Sequence, residues 1–412
     1  VPIPVWYPIN NVGGVIYEKP ILPEISKLPV DPLTDVPEGY TEEQRDKPGG
    51  FTGEPDVLDT WATSSLTPQI ATHWFLNPER HKKLFPMDMR PQAHDIIRTW
   101  AFYTIVKAYL HDGEIPWKNI VLSGWILDPD RKKMSKSHGN VVTPEPLINQ
   151  HGADSVRYWA GKARLGVDTA YDEQAFKVGR KLCTKLFNAG KFVIMQLDGI
   201  DRKILTKDKI THQIDMAVIQ ELKECVKRAT ESFEEFDYAQ ALMLTEEFFW
   251  GTFCDNYLEI VKPRTYKSEL TEDKLSACAS LRFIHRVLIR MFAPFLPYIT
   301  EEIWHWEYAG DEDMQPSVHK SPWPNMYEFN GISECKFNNF YQYMLDIITP
   351  IRKAKTEANI SMAAPVKKVV VNCEDKDYEM TQIIVPEVCA MLRVNEYEIK
   401  RGNESLNVVV EI

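Results

Sequence analysis

Ile120-Val121-Leu122-Ser123-Gly124-Trp125-Ile126-Leu127-Asp128-Pro129-Asp130-Arg131-Lys132-Lys133-Met134-Ser135-Lys136-Ser137-His138-Gly139-Asn140 runs from an apolar segment through an acidic turn into a basic, hydroxyl-rich loop. The compact apolar run Ile120–Leu127 reads as a buried strand. Upstream, Met89–Ala93 also reads as a strand, and Asp95–Leu110 is helix-like, with apolar Ile96, Ile97, Trp100, Tyr103, Val106 and Leu110. Strand, helix, strand implies a parallel βαβ unit. The loop then falls at the carboxyl end of a parallel strand, where open α/β sheets hold ligands. Lys133 and Lys136 are mobile point charges suited to triphosphate oxygens, with Ser135 and Ser137 beside them and Gly139 permitting close backbone approach. On residue types alone, Arg131, Lys132, Lys133 and Lys136 read more simply as a solvated basic loop.

Working outward, 412 residues are too many for one core and imply two or three domains. A composition 44% hydrophobic and 26% charged is that of a soluble globular protein. The longest apolar stretch, Val287–Ile299, is broken by Arg290, Pro294 and Pro297 and cannot span a bilayer. Seven scattered Cys with no C-x-x-C argue against a disulfide framework or a Cys-based zinc site, and for a reducing cytoplasm. No secretory leader follows Val1. A net charge of −11 repels phosphate at long range, so any nucleic-acid contact must use local basic patches.

Three regions differ in texture. Residues 1–165 alternate strand and helix patterns and read as an α/β region with a partial, Rossmann-like parallel sheet. Residues 166–330 carry helical periodicity, as in Val218, Leu222, Cys225 and Ala229, and predict an all-α bundle whose aromatic residues pack its core. Residues 331–412 begin helical and turn strand-like at Val366–Asn372 and Leu406–Ile412, predicting a small α/β domain.

The run Lys133-Met134-Ser135-Lys136-Ser137 is identical to the second signature motif of the class I aminoacyl-tRNA synthetases. Its surroundings resemble the same family: Ser123-Gly124-Trp125-Ile126-Leu127 before it, and His151-Gly152-Ala153-Asp154-Ser155-Val156-Arg157 after it. Asp56–Ser65 and Gln92–Ile97 are similar to the valyl branch, and the opening Val1–Tyr7 resembles the strand that re-enters the catalytic domain after the family's inserted editing domain. Pro294–Trp304 resembles the helical anticodon-binding part. The resemblance covers essentially the whole chain.

It implies a reaction of valine with ATP to valyl-adenylate, then transfer to tRNA(Val), with Mg²⁺ accompanying ATP. Lys133, Ser135, Lys136 and Ser137 would serve the adenylation step, and Gly124, Trp125, Ile126 and Lys136 would bind ATP. Trp61, Asp95 and Ile96 would form the amino-acid pocket. Lys177, Arg180, Lys181 and Lys185, four of them on one helical stretch, and Arg352 and Lys355 would meet tRNA; for the first group a merely solvated face is the bland alternative.

Two departures from the family pattern stand out. Its first signature motif and its editing insertion are absent, both lying upstream of Val1 in relatives, so the chain reads as a C-terminal part, inactive alone. A C-x-x-C metal knuckle common after the Trp6-Tyr7 position is also absent, so no structural zinc is expected and the Tyr7–Asn11 loop must be held otherwise. A cytoplasmic monomer without membrane contact is expected. The rival readings are a non-catalytic tRNA-binding module and an isoleucyl or leucyl synthetase.

Overall fold

The computed structural model describes residues 1–135, 139–311, 314–402 and 405–412. They cluster into two units, Val1–Trp125 and Ile126–Ile412.

The first unit opens with β1 (Trp6–Pro8) antiparallel to β2 (Phe51–Gly53). Trp6 is buried and its indole N–H donates to the Pro32 and Asp35 carbonyls, both at 3.1 Å. Short helices follow: α1 (Thr60–Ser64), α2 (Thr67–Thr72) and α3 (Pro78–Leu84). Then β3 (Met87–Ala93) leads through a 3₁₀ turn (His94–Ile96) and a π-helical turn (Ile97–Ala101) into α4 (Phe102–Asp112) and β4 (Trp117–Ser123). β3 and β4 pair in parallel from Met87↔Trp117 to Ala93↔Ser123, which is the βαβ unit expected.

Two details of that expectation are corrected. The apolar run is not one strand: it breaks at Gly124-Trp125, and its end forms β5 (Ile126–Leu127), which belongs to the second unit. Nor is it buried throughout, since Ile120 and Ile126 are 42% and 51% exposed. Among the described residues β4 has a single neighbour strand, and a two-stranded sheet leaves faces and edges open. The helix likewise turns small residues inward, Ala101, Thr104 and Ala108, while Tyr103, Val106 and Leu110 stay exposed. Small side chains allow a helix to lie close on a short sheet.

In the second unit β5 pairs in parallel with β6 (Thr169–Ala170), with α5 (Pro144–His151) and α6 (Ala153–Gly161) between them in sequence. A helical bundle follows. α7 (Glu173–Gln196) starts where the Asp172 carboxylate accepts from the Gln174 N–H at 2.8 Å. It buries Phe176, Leu182, Leu186, Ala189 and Val193 at helical spacing. Gly179 permits close approach to α6, since a Cβ there would sit 2.9 Å from the Tyr158 ring. Next come α8 (Gln213–Glu234), α9 (Tyr238–Glu247) with a π-helical extension (Phe248–Tyr257), α10 (Leu258–Ile260), α11 (Lys262–Thr265), α12 (Glu272–Phe292) and α13 (Pro297–Glu307). Val218, Leu222, Cys225 and Ala229 face the core as their spacing predicted. At its centre Arg264 donates twice to Asp215, at 2.7 and 2.8 Å, and Tyr257 and Ser276 donate to the same carboxylate. Burial alone would raise the Asp215 pKa; the guanidinium outweighs it and holds the carboxyl below its usual range.

α14 (Phe340–Glu357) leads into the C-terminal α/β part: β7 (Val366–Glu374), α15 (Tyr378–Leu392), β8 (Val394–Gly402) and β9 (Asn407–Glu411). The sheet order is β8-β7-β9, parallel on one side of β7 and antiparallel on the other. β7 and β9 match the two strands expected. α15 and β8 escaped sequence reading because 378–402 mixes acids with apolar residues at no clean period of two.

Candidate functional site

The signature loop lies in the second unit. Leu127 bridges antiparallel to Lys133, so the chain doubles back on β5. The reversal is tight: the Asp128 N–H donates to the Lys132 carbonyl at 2.8 Å, and Arg131 takes a left-handed conformation at φ 63°. Asp128 is buried, and its carboxylate accepts from the Lys132 N–H at 2.8 Å and from the Asn140 amide at 2.7 Å. These two hydrogen bonds, the backbone one first, hold the carboxyl below its usual pKa. The Asn140 amide also donates to the Lys133 carbonyl at 3.2 Å, and its oxygen accepts from the Ser135 N–H at 3.0 Å. Asp128 and Asn140 therefore close the loop at its base and leave Lys133 exposed. Lys136 and Ser137, assigned to phosphate chemistry from the sequence, lie outside the described residues.

The residues expected around the amino acid and the adenine lie in the first unit, apart from Ile126. Four of them sit just past the carboxyl ends of β3 and β4, as ligand sites in parallel sheets do. Asp95 and Ile96 occupy the 3₁₀ turn after β3, and Gly124 and Trp125 follow β4. His94, which sequence reading passed over, joins the two strand ends. Its Nδ1 is 3.3 Å from the Ser123 carbonyl, and its ring centroid is 4.6 Å from that of Trp125. The signal was available: His94 directly precedes Asp95 at the end of a strand.

Trp61 sits in α1, whose N-terminus is capped by Asp59. A five-residue helix cannot hold itself. Its C-terminal carbonyls are held from outside: Trp100 donates to the Ser64 carbonyl and Lys107 to the Ala62 carbonyl, both at 2.7 Å. The Arg90 guanidinium in turn lies 3.5 Å from the centre of the Trp100 ring. Trp61 and Ile96, both half-buried, are thus fixed to a common scaffold.

Of the basic residues, the α7 group lines one groove, whereas the C-terminal pair is engaged within the fold. Lys177, Arg180, Lys181 and Lys185 line a groove of about 830 Å³ together with Gln150, His151 and Trp250. Lys177 pairs with Glu173 at 3.0 Å, and the Lys185 ammonium lies 5.7 Å from the Trp250 ring centre. Lys355 is a correction: it is fully buried, and its ammonium donates to the carbonyls of Met362, Ala364 and Leu392 at 2.9, 2.7 and 2.7 Å. Arg352 is engaged as well, donating to the Asn256 side chain and the Asp255 carbonyl. Its neighbours in the cluster each have an acid: Lys353 with Glu357, Lys367 with Glu411, Lys368 with Glu398.

The Tyr7–Asn11 loop is held without a knuckle. The Asn10 side-chain oxygen accepts from the Val12 and Gly14 N–H groups at 3.0 and 2.8 Å, and Tyr7 donates to Glu54 at 3.0 Å. All seven Cys are free thiols. Among the described residues no three His, Cys, Asp or Glu cluster as metal ligands, and no helix is long and apolar enough to cross a membrane.

Residues 1–172 match the family of class I tRNA synthetases (I, L, M and V), and residues 215–371 match the anticodon-binding domain of tRNA ligase. The chain belongs to the class I tRNA synthetases. It is 47% identical to the valine–tRNA ligase of Thermobifida fusca over 100% of this chain and 46% of that protein. It is 43% identical to that of Salinispora arenicola, over 95% of this chain and 46% of the relative, and 44% identical to that of Rickettsia felis, over 93% and 44%. The chain thus spans about half the length of these curated relatives. A ternary LeuRS–tRNA–LeuAMS complex from Agrobacterium radiobacter K84 shares the fold at TM-score 0.56 and 18% identity, covering 100% of this chain and 49% of that one.

Proposed function

We propose that this chain works in a valine–tRNA ligase. The observation that carries the reading is high identity along the entire chain to several proteins of that name. In the reaction, a valine carboxylate oxygen attacks the α-phosphorus of ATP and the bond to pyrophosphate breaks, giving valyl-adenylate. A tRNA hydroxyl then attacks the valyl carbonyl and AMP leaves. Mg²⁺ enters with ATP, coordinated mainly by phosphate oxygens and water.

In this reading Lys133 and Lys136 meet the charge that builds on the phosphates, with Ser135 and Ser137 as hydrogen-bonding support. Gly124, Trp125 and Ile126 receive the nucleotide, while Trp61, Asp95 and Ile96 receive valine. The groove of Lys177, Arg180, Lys181 and Lys185 takes tRNA(Val) through its phosphates. We place the functional boundaries near residues 165 and 330, separating catalysis, tRNA binding and a C-terminal cap, and the protein in the cytoplasm as a monomer.

The test is ATP–pyrophosphate exchange by the full-length protein with valine, isoleucine or leucine, alongside Lys136→Ala. Valine-dependent exchange that falls roughly 10²- to 10³-fold in the variant is expected. Exchange driven by isoleucine or leucine instead would replace the substrate assignment. No exchange with any of them, beside salt-sensitive tRNA binding, would replace the enzyme reading with a binding module.

A further inference from the structure

A cavity of about 690 Å³ opens in the helical bundle between the turns that follow α7, the α12 face and the turn after α13. Among the described residues its wall carries five cations, Arg202, Lys203, Lys207, Arg282 and Arg286, against two carboxylates, Asp201 and Asp311. Two of the arginines are committed. Arg202 forks onto Glu307 at 2.8 and 3.0 Å, and Arg282 donates to Glu307 at 2.9 Å and to Asp311.

Arg286 is not. Its Nη1 reaches only the Met314 sulfur at 3.9 Å, and its Nε is buried with no partner among the described residues. The nearest carboxylate oxygen, on Glu328, is 3.7 Å from Nη2, and that carboxylate already forks onto Arg290. Lys207, on the same wall, has one weak partner, the Asn330 carbonyl at 3.3 Å. Burial, and then neighbouring cations, push the pKa of Arg286 and of Lys207 downward. A guanidinium removed from water without oxygen acceptors is costly, and a second cation beside it adds to the cost. An anion in the cavity removes both penalties.

We propose that this cavity is a phosphate-binding site, in which Arg286 and Lys207 hold the anion and the apolar floor of Leu205, Ile210, Ala279 and Phe283 accepts the organic remainder. A phosphate supplies several acceptor oxygens and up to two charges, matching an arginine fork and a lysine point charge. The two sources of that chemistry are a backbone phosphate of bound tRNA and a free nucleotide. The inference stands on the cavity and its cations and does not require the substrate assignment above.

The test is calorimetric titration of the full-length protein with inorganic phosphate and with AMP, at fixed ionic strength held with chloride. The wild type is compared with Arg286→Gln, Lys207→Gln and the exposed control Lys353→Gln. Saturable binding weakened at least about tenfold in the first two variants and unchanged in the control is the expected result. Lys207 is half-exposed in a short turn, so Lys207→Gln decides the matter alone should Arg286→Gln not fold. Binding absent from the wild type, or equal in Lys207→Gln, overturns the proposal. Repeating the titration with tRNA bound separates the sources: tRNA that blocks phosphate supplies the group itself, and tRNA that leaves phosphate binding intact points to a free nucleotide.

Discussion

The side-chain amide of Asn140 lies 2.7 Å from the buried carboxylate of Asp128, twelve residues earlier, and spans the two ends of the signature loop. Through its other bonds Asn140 also fixes the backbone at Lys133 and Ser135. The loop's lysines act by position, so the residue that closes the loop sets where their charges stand.

Asn140→Ala in the full-length protein should therefore lower the maximal rate of valine-dependent exchange while leaving the valine KM nearly unchanged. Misplacing a reacting group by about 1 Å costs on the order of 10²-fold, which sets the expected size. A rate within twofold of wild type would show that the clasp does not position the loop. The depressed carboxyl of Asp128 keeps it ionised, so the clasp should persist in acid until the pH falls below the ordinary carboxylate range.

On α7, Lys181 is exposed and has no ion-pair partner among the described residues, whereas Lys177 shares its charge with Glu173. Lys181→Gln should weaken tRNA binding more than Lys177→Gln does. Each lost phosphate contact should reduce the slope of log affinity against log salt by about 0.7–0.9. Gel shifts at several salt concentrations read this directly. Equal slopes in wild type and a Lys177, Lys181 double variant would remove α7 from the tRNA surface.

Lys355 makes the opposite prediction. Its three carbonyl partners come from the segment before β7 and from the C-terminal end of α15, where the helix dipole favours a cation. Lys355→Met leaves three inward carbonyls without their donor, so stability should drop by about 3 kcal/mol. The salt slope of tRNA binding should not move. Urea unfolding and the same gel shifts separate the two effects, and a changed slope at unchanged stability would restore Lys355 to the tRNA surface.

These cases show what sequence could and could not carry. Period and order gave the βαβ unit, the bundle and two strands of the C-terminal sheet, β7 and β9, because burial imposes a repeat on the residues that pack. The signature residues were legible as an exact string. What was not legible is which polar side chain turns inward. Lys355 and Lys353 look alike in a basic run, yet one is a buried staple and the other is exposed. Asp128 read only as a turn former and Asn140 as the end of a motif; their bond depends on a reversal at Arg131 that no composition announces. Trp250, one of the bundle's aromatic residues, packs against the core as expected and also lines the groove beside Lys185, which its residue type did not announce.

His285 carries the last prediction. It is buried in α12, and its Nδ1 is 2.7 Å from the Tyr308 hydroxyl. That hydroxyl is also 3.3 Å from the Arg282 carbonyl, to which it must donate. The His285 Nδ1 therefore bears the hydrogen, and its Nε2 is a bare acceptor without a partner among the described residues, 3.3 Å from where a Cβ on Gly190 would lie. Protonation would place a charge and an unpaired N–H against packed helix, and burial accordingly lowers the His285 pKa to about 3. The sign follows from the depressed value. Above pH 6.5 the imidazole is neutral folded or unfolded, and stability is unaffected. Below it the unfolded chain binds a proton that the folded chain refuses, so stability falls by about 1.4 kcal/mol per pH unit until the folded pKa is reached. Between pH 7.5 and 5.5 the wild type should lose about 1.4 kcal/mol more than His285→Gln, which removes the titrating group and keeps a donor for Tyr308. Urea unfolding followed by tryptophan fluorescence at the two pH values measures that difference, and identical losses in both proteins would mean the imidazole is solvated or partnered in the folded state.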